Sequence, residues 1–138
     1  PEENFEYEEA MDADYEKEDV NARSMILRYE SENFSAIFTG DISSEEEAYL
    51  LEKENIKEVS LYKAAHHGSK YSNSEGFLRK LSPRISVSSY GKNNHYGHPG
   101  KEAVEHMKDY SDKVYETAFY GQITVLPKKN EVYTKIAR

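Results

Sequence analysis

The stretch Glu58–Lys70, EVSLYKAAHHGSK, decides how this chain is read. Its first eight residues are β-rich and apolar enough to predict a strand. That strand ends on two adjacent histidines, a glycine and a serine. Upstream, SSEEEAYLLEKEN (43–55) opens with a serine cap, puts glutamates in its first turn and carries Ala48, Leu50 and Leu51 as a predicted inward face of a helix. Downstream, SNSEGFLRKL (72–81) predicts a short helix capped by Ser72 or Ser74 and closed before Pro83. A strand between two helices is the signature of an α/β chain.

The same pattern extends outward. SMILRYE and NFSAIFTG predict two strands in a hairpin. RISVSSYG predicts a strand, KNNHYGHPG a turn-rich loop, and GKEAVEHMKDYS an amphipathic helix with Ala103, Val104 and Met107 inward. The segments KVYETA, YGQITVLP and NEVYTKIA predict three closing strands, with Ile123 and Val125 alternating against Gln122, Thr124 and Leu126. The expected order is β-β-α-β-α-β-α-β-β-β, a mixed sheet with helices on one face and a second face in need of a partner. Residues 1–19 read as an acidic leader or loop, and 20–138 as the domain.

The net charge of −8 is unevenly spread. Residues 1–20 hold ten acids and one base, whereas Lys63–Lys101 holds seven bases against Glu75 alone, together with four of the five histidines. An anion is drawn to that window rather than to the leader. The absence of cysteine excludes disulfides and thiolate metal sites. No apolar run is long enough to span a membrane, and Pro1-Glu2-Glu3-Asn4 is neither a signal peptide nor an initiator start, which points to a fragment of a longer chain.

Several residues can carry chemistry. Asp41, after Thr39-Gly40 at a strand end, suits a metal-bridging carboxylate, or else the cap of the helix that follows. His66 and His67 terminate the next strand, where alternation would let only one of them share a given site. One imidazole suits a metal ligand, the other a donor to a phosphoryl oxygen. His98, beside His95, is expected on a rigid turn at a substrate edge, and His106 is expected in solvent. Ser69, Lys70 and Asn94 are candidate substrate contacts. A Ser69–His66–Asp41 nucleophilic triad is the competing arrangement, without a Gly-x-Ser-x-Gly elbow to support it.

Together, FTGD, KAAHHGSKYSNSEGFL, LSPRISVSSYG, NNHYGHP and YETAFYGQITV resemble the C-terminal half of a metallo-β-lactamase-fold hydrolase of the ComEC-type DNA-uptake branch. NARSMILRY resembles that branch's Asn-x-x-Ser strand opening, here Asn21 and Ser24. The resemblance implies half of an αββα sandwich that binds one or two zinc or manganese ions. It implies Asp41 and His67 as metal ligands, His66 as the phosphate-facing catalytic partner and His98 as a catalytic or substrate-edge residue. It implies a phosphate-containing substrate such as DNA, and an extracytoplasmic or membrane-attached setting. The family's His-x-His-x-Asp-His cluster is absent from this chain, so the expected site is partial. Its other ligands would come from the missing N-terminal half of the domain, in which case the fragment binds metal weakly or not at all. A non-catalytic half-domain that binds a partner or self-associates into a homo-oligomer is the alternative.

Overall fold

The computed structural model describes residues 20–127 and 131–135; the acidic leader lies outside them. A single 3-10 turn at Val20–Arg23 leads into β1 (Leu27–Glu30) and β2 (Ser35–Phe38), the predicted antiparallel hairpin. Then follow α1 (Ser44–Lys53), β3 (Leu61–Lys63), α2 (Glu75–Leu81), β4 (Ile85–Ser88), α3 (Lys101–Tyr110) and β5 (Lys113–Glu116). The sheet runs β1-β2-β3-β4-β5, with β2 to β5 parallel. One further helical turn, α4 (Thr117–Tyr120), precedes β6 (Gln122–Leu126) and β7 (Glu131–Lys135), which pair only with each other. The chain is therefore α/β with a mixed five-stranded sheet, as expected. The closing strands differ from expectation in that two of them form a separate hairpin.

Register explains why one sheet face is covered. Ile37 and Tyr62 are register partners and point to the helices, where Phe77, Leu78, Leu81 and Met107 are fully buried around them. Each such side chain contributes about 1.5–3 kcal/mol by leaving water. The alternate positions Leu27, Tyr29, Phe38, Leu61 and Val87 lie on the opposite face. Leu27, Tyr29 and Phe38 remain exposed there. The second face is thus largely apolar and only partly covered, with Ala36 and Ile85 buried on it.

Two helix-level expectations are corrected. In α1 the buried position is Glu47, not Ala48, which faces solvent. Glu47 reaches across to the start of α2, where its carboxylate accepts from Asn73 N (2.6 Å) and Ser74 N (2.8 Å). Ser74 occupies the cap position, one of the two serines expected there, but its hydroxyl makes no cap bond to α2, and Ser72 Oγ donates to Ile42 O. Glu47, from a neighbouring helix, thus holds the two backbone amides that lead into α2.

Burial pushes the Glu47 carboxyl above the ordinary carboxylate range, against the pull of its N–H donors. The folded state therefore holds this proton to higher pH than the unfolded chain does. The stability this confers is present at acid pH and is lost as pH rises through the folded value. Glu47→Gln is expected to flatten that segment of the stability–pH curve in urea titrations. At neutral pH it should cost about 1–3 kcal/mol, because an amide cannot accept from both N–H groups.

Candidate functional site

The parallel register of β2 and β3 carries Gly40-Asp41 and His66-His67 to the same end of the sheet. There the backbone stops being a strand. Ala65–Gly68 forms a tight turn in which His66 (φ 46°), His67 (φ 57°) and Gly68 (φ 81°) are all left-handed. For two histidines this conformation costs about 1–2 kcal/mol each, and it persists only where neighbours impose it. His66 N donates to Gly40 O (3.0 Å), Ser69 N to His66 O (2.9 Å) and Gly100 N to Gly68 O (2.8 Å). Ser88 Oγ donates to His67 O (3.2 Å).

The turn overturns one expectation. Because the pair is not on a strand, alternation does not separate the two rings, and both approach His98. Ring centroids lie 5.2 Å apart for His66–His98, 6.3 Å for His67–His98 and 6.4 Å for His66–His67. His98 is placed by its own loop, where Asn94 Nδ2 donates to His98 O (2.6 Å) and Asn94 Oδ1 accepts from His98 N (3.0 Å). Gly100 lets that loop close on the turn, since a Cβ there would sit 2.8 Å from Lys70 N.

Asp41 is free for chemistry because another residue caps α1. Ser43 and Glu46 form a complete capping box, and the Asp41 side chain stays 41% exposed at the mouth of the sheet. Ser24 Oγ accepts from Asp41 N (3.0 Å) and anchors the backbone beneath it, which is what the Asn-x-x-Ser segment accomplishes here. His67 Nδ1 lies 2.8 Å from Ser89 O. A carbonyl only accepts, so Nδ1 carries the proton and Nε2 keeps its lone pair. That lone-pair nitrogen lies 3.8 Å from Asp41 Oδ1. An ion about 2 Å from each donor can span such a gap. Among the described residues no cluster of three or more potential ligands is present, so the pair alone falls short of a closed metal site.

The other candidates separate. Ser69 is buried and its Oγ accepts from Tyr71 N (3.2 Å), so it faces the protein rather than a substrate, and the triad loses its nucleophile. Lys70 is exposed, its ammonium 4.8 Å from the Tyr71 ring. Both side-chain atoms of Asn94 are engaged in shaping the His98 loop. His95 is exposed. His106 is not in open solvent as expected: it is half-buried, with Nδ1 2.9 Å from Asn73 O. The basic window also divides in space, because Arg79 and Lys80 line a groove with Arg28 and Lys57, which precedes β3 and so lies toward the opposite end of the sheet. Lys63, the first base of that window, is half-buried, and burial lowers its ammonium while the charge of Asp41 pulls it back up.

With this geometry in view, similarity to known proteins can be placed. No family model matches the chain. The chain is 36% identical over 104 residues to ComE operon protein 3 of Bacillus subtilis. It is 28% identical over 105 residues to Recombination protein 2 of Haemophilus influenzae and 30% identical over 106 residues to Competence protein ComA of Neisseria gonorrhoeae. Each match covers 75–76% of this chain but only 13–15% of the relative. These relatives bear out the competence branch of the resemblance. Among the described residues no helix is long and apolar enough to cross a membrane.

Desolvation first, then the neighbouring His66 and His67, holds His98 below the ordinary histidine value. In a side-chain NMR titration His98 is expected to lose its proton before a free imidazole would as pH rises. His66→Gln should return it part of the way. Gly100→Ala is expected to destabilise the chain by about 1–3 kcal/mol in urea, because the new methyl meets backbone rather than a movable side chain.

Proposed function

We propose that this chain is part of a DNA-uptake-type protein and contributes the late half of a metal-dependent phosphodiesterase site, in a metallo-β-lactamase-type sandwich. The observation that carries this reading is the pairing of a tautomer-fixed His67 Nε2 with the Asp41 carboxylate at 3.8 Å. The names of the relatives support a competence setting and favour DNA over other phosphodiesters. Bound between these residues, zinc or manganese would activate water and neutralise charge on phosphoryl oxygens. In this proposal Asp41 and His67 hold the ion. His66 and His98 lie beside them to donate protons to phosphoryl or leaving-group oxygens, the proton affinity of His98 being lowered by desolvation and by the two neighbouring imidazoles. The remaining ligands come from the preceding half of the sandwich, whose sheet would cover the open face of this one.

In the longer protein, Asp41→Asn and His67→Ala are each expected to lower manganese- or zinc-dependent hydrolysis of DNA by at least about 100-fold. Near-normal activity in either variant would remove that residue from the site. The isolated chain should bind zinc with a Kd no tighter than roughly tens of micromolar by calorimetry, since two ligands fall short of a closed site.

A second reading is a non-catalytic half-domain that associates through its open sheet face. The exposure of Leu27 (54%), Tyr29 (49%) and Phe38 (39%) on one face favours it. Light scattering that gives a concentration-independent monomer would exclude self-association. A dimer broken by Phe38→Glu would support it.

A further inference from the structure

We propose that Asn73 is the positioning residue of the histidine turn, a side chain that fixes the backbone from which His66 and His67 project; this rests on the reading of that pair as functional. Asn73 is fully buried and itself left-handed (φ 62°), a conformation that asparagine tolerates better than most residues. Its carboxamide pairs with both polar groups of the residue preceding the histidines. Oδ1 accepts from Ala65 N (3.1 Å) and Nδ2 donates to Ala65 O (3.1 Å). The same Nδ2 reaches Ser69 O (3.4 Å) on the far side of the turn. One planar amide therefore ties the two ends of the four-residue turn that holds the histidines.

Asn73 is in turn held from three elements, at its side chain by one and at its backbone by two. Tyr62 Oη, buried on β3, donates to Asn73 Oδ1 (2.9 Å). Glu47 on α1 accepts from Asn73 N (2.6 Å), and His106 on α3 pairs with Asn73 O (2.9 Å). Every polar group of Asn73 is thus engaged. No other residue type supplies this set: aspartate lacks the donors, glutamine is a methylene too long, and an apolar residue leaves the Ala65 carbonyl without its amide donor and Ala65 N held by Tyr62 Oη (3.0 Å) alone. The arrangement also explains why two histidines can share a strained backbone. The cost of about 1–2 kcal/mol apiece is offset by a clamp of four buried or nearly buried hydrogen bonds. Glu47 and His106 lie outside the turn and act only through Asn73.

The test uses the full 138-residue chain and reads the imidazole nitrogens of His66 and His67 by long-range proton–nitrogen NMR, alongside zinc titration. The wild type is expected to show His67 in the Nδ1–H form. Asn73→Asp should shift His67 toward the Nε2–H form preferred by free imidazole and weaken zinc binding at least threefold. Tyr62→Phe, which removes its bonds to both Asn73 Oδ1 and Ala65 N, should move both readouts in the same direction by less, and Asn73→Gln, which displaces the side-chain amide alone, decides the matter if Asn73→Asp does not fold. Val59→Ala, a core truncation at the other end of β3, should lower the urea midpoint and leave the tautomer unchanged. Folded Asn73→Asp or Tyr62→Phe with a wild-type imidazole spectrum would overturn the proposal, as would an equal tautomer shift in Val59→Ala. Failure of metal-dependent hydrolysis would strike the proposed function without touching the tautomer result, so the two are separable.

Discussion

The left-handed turn Ala65–Gly68 is the constraint around which the rest of this end of the molecule is arranged. A strand that continued past Ala64 would send His66 and His67 to opposite faces. By coiling left-handed, the backbone instead brings both rings to the mouth of the sheet, within 6.4 Å of each other. Such a turn is unfavourable for histidine in isolation. It exists because β2 supplies an acceptor at Gly40, β4 supplies Ser88 and the Ser89 carbonyl, the loop before α3 supplies the Gly100 amide, and Asn73 clamps it from beneath.

Those partners are products of topology. Parallel pairing of β2, β3 and β4 aligns the C-terminal ends of three successive strands, and each end delivers one part of the site. β2 delivers Asp41, β3 the histidine turn, and β4 the carbonyl that fixes the His67 tautomer. The helices stay behind the sheet, and their polar residues Glu47 and His106 brace Asn73 rather than face a ligand. Polar groups buried here are matched almost atom for atom, and so they can specify one conformation of the loop rather than merely tolerate it.

The sheet's two faces show how unequal the packing is. Ile37 and Tyr62 are sealed by α1, α2 and α3, while Leu27, Tyr29 and Phe38, one residue out of phase, remain open. An alternating strand buried on one side only should be polar on the other. β2 and β3 are apolar on both, with Ala36 and Phe38 backing Ile37 and Leu61 backing Tyr62, a pattern that a second layer would cover. The open face and the two-cornered Asp41–His67 pair thus share one physical origin in the proposed half-sandwich.

The sequence by itself determined the order of elements, the hairpin, the three crossover helices and the short list that contained Asp41, His66, His67 and His98. Local signals sufficed for these: alternation, serine and glutamate at helix starts, and proline and glycine at their ends. Tertiary structure alone decided that Glu47 holds the amides leading into α2, that Ser69 and Asn94 serve the backbone, and that His106 braces Asn73 instead of facing water. The Glu47 and His106 contacts join residues 26 and 33 positions apart, while the bonds of Ser69 and Asn94 are local but depend on how their loops close, and spacing along the chain carries no record of either. Asn73 is the clearest case, because a serine-flanked asparagine reads as a turn residue until three strands and helices close around it.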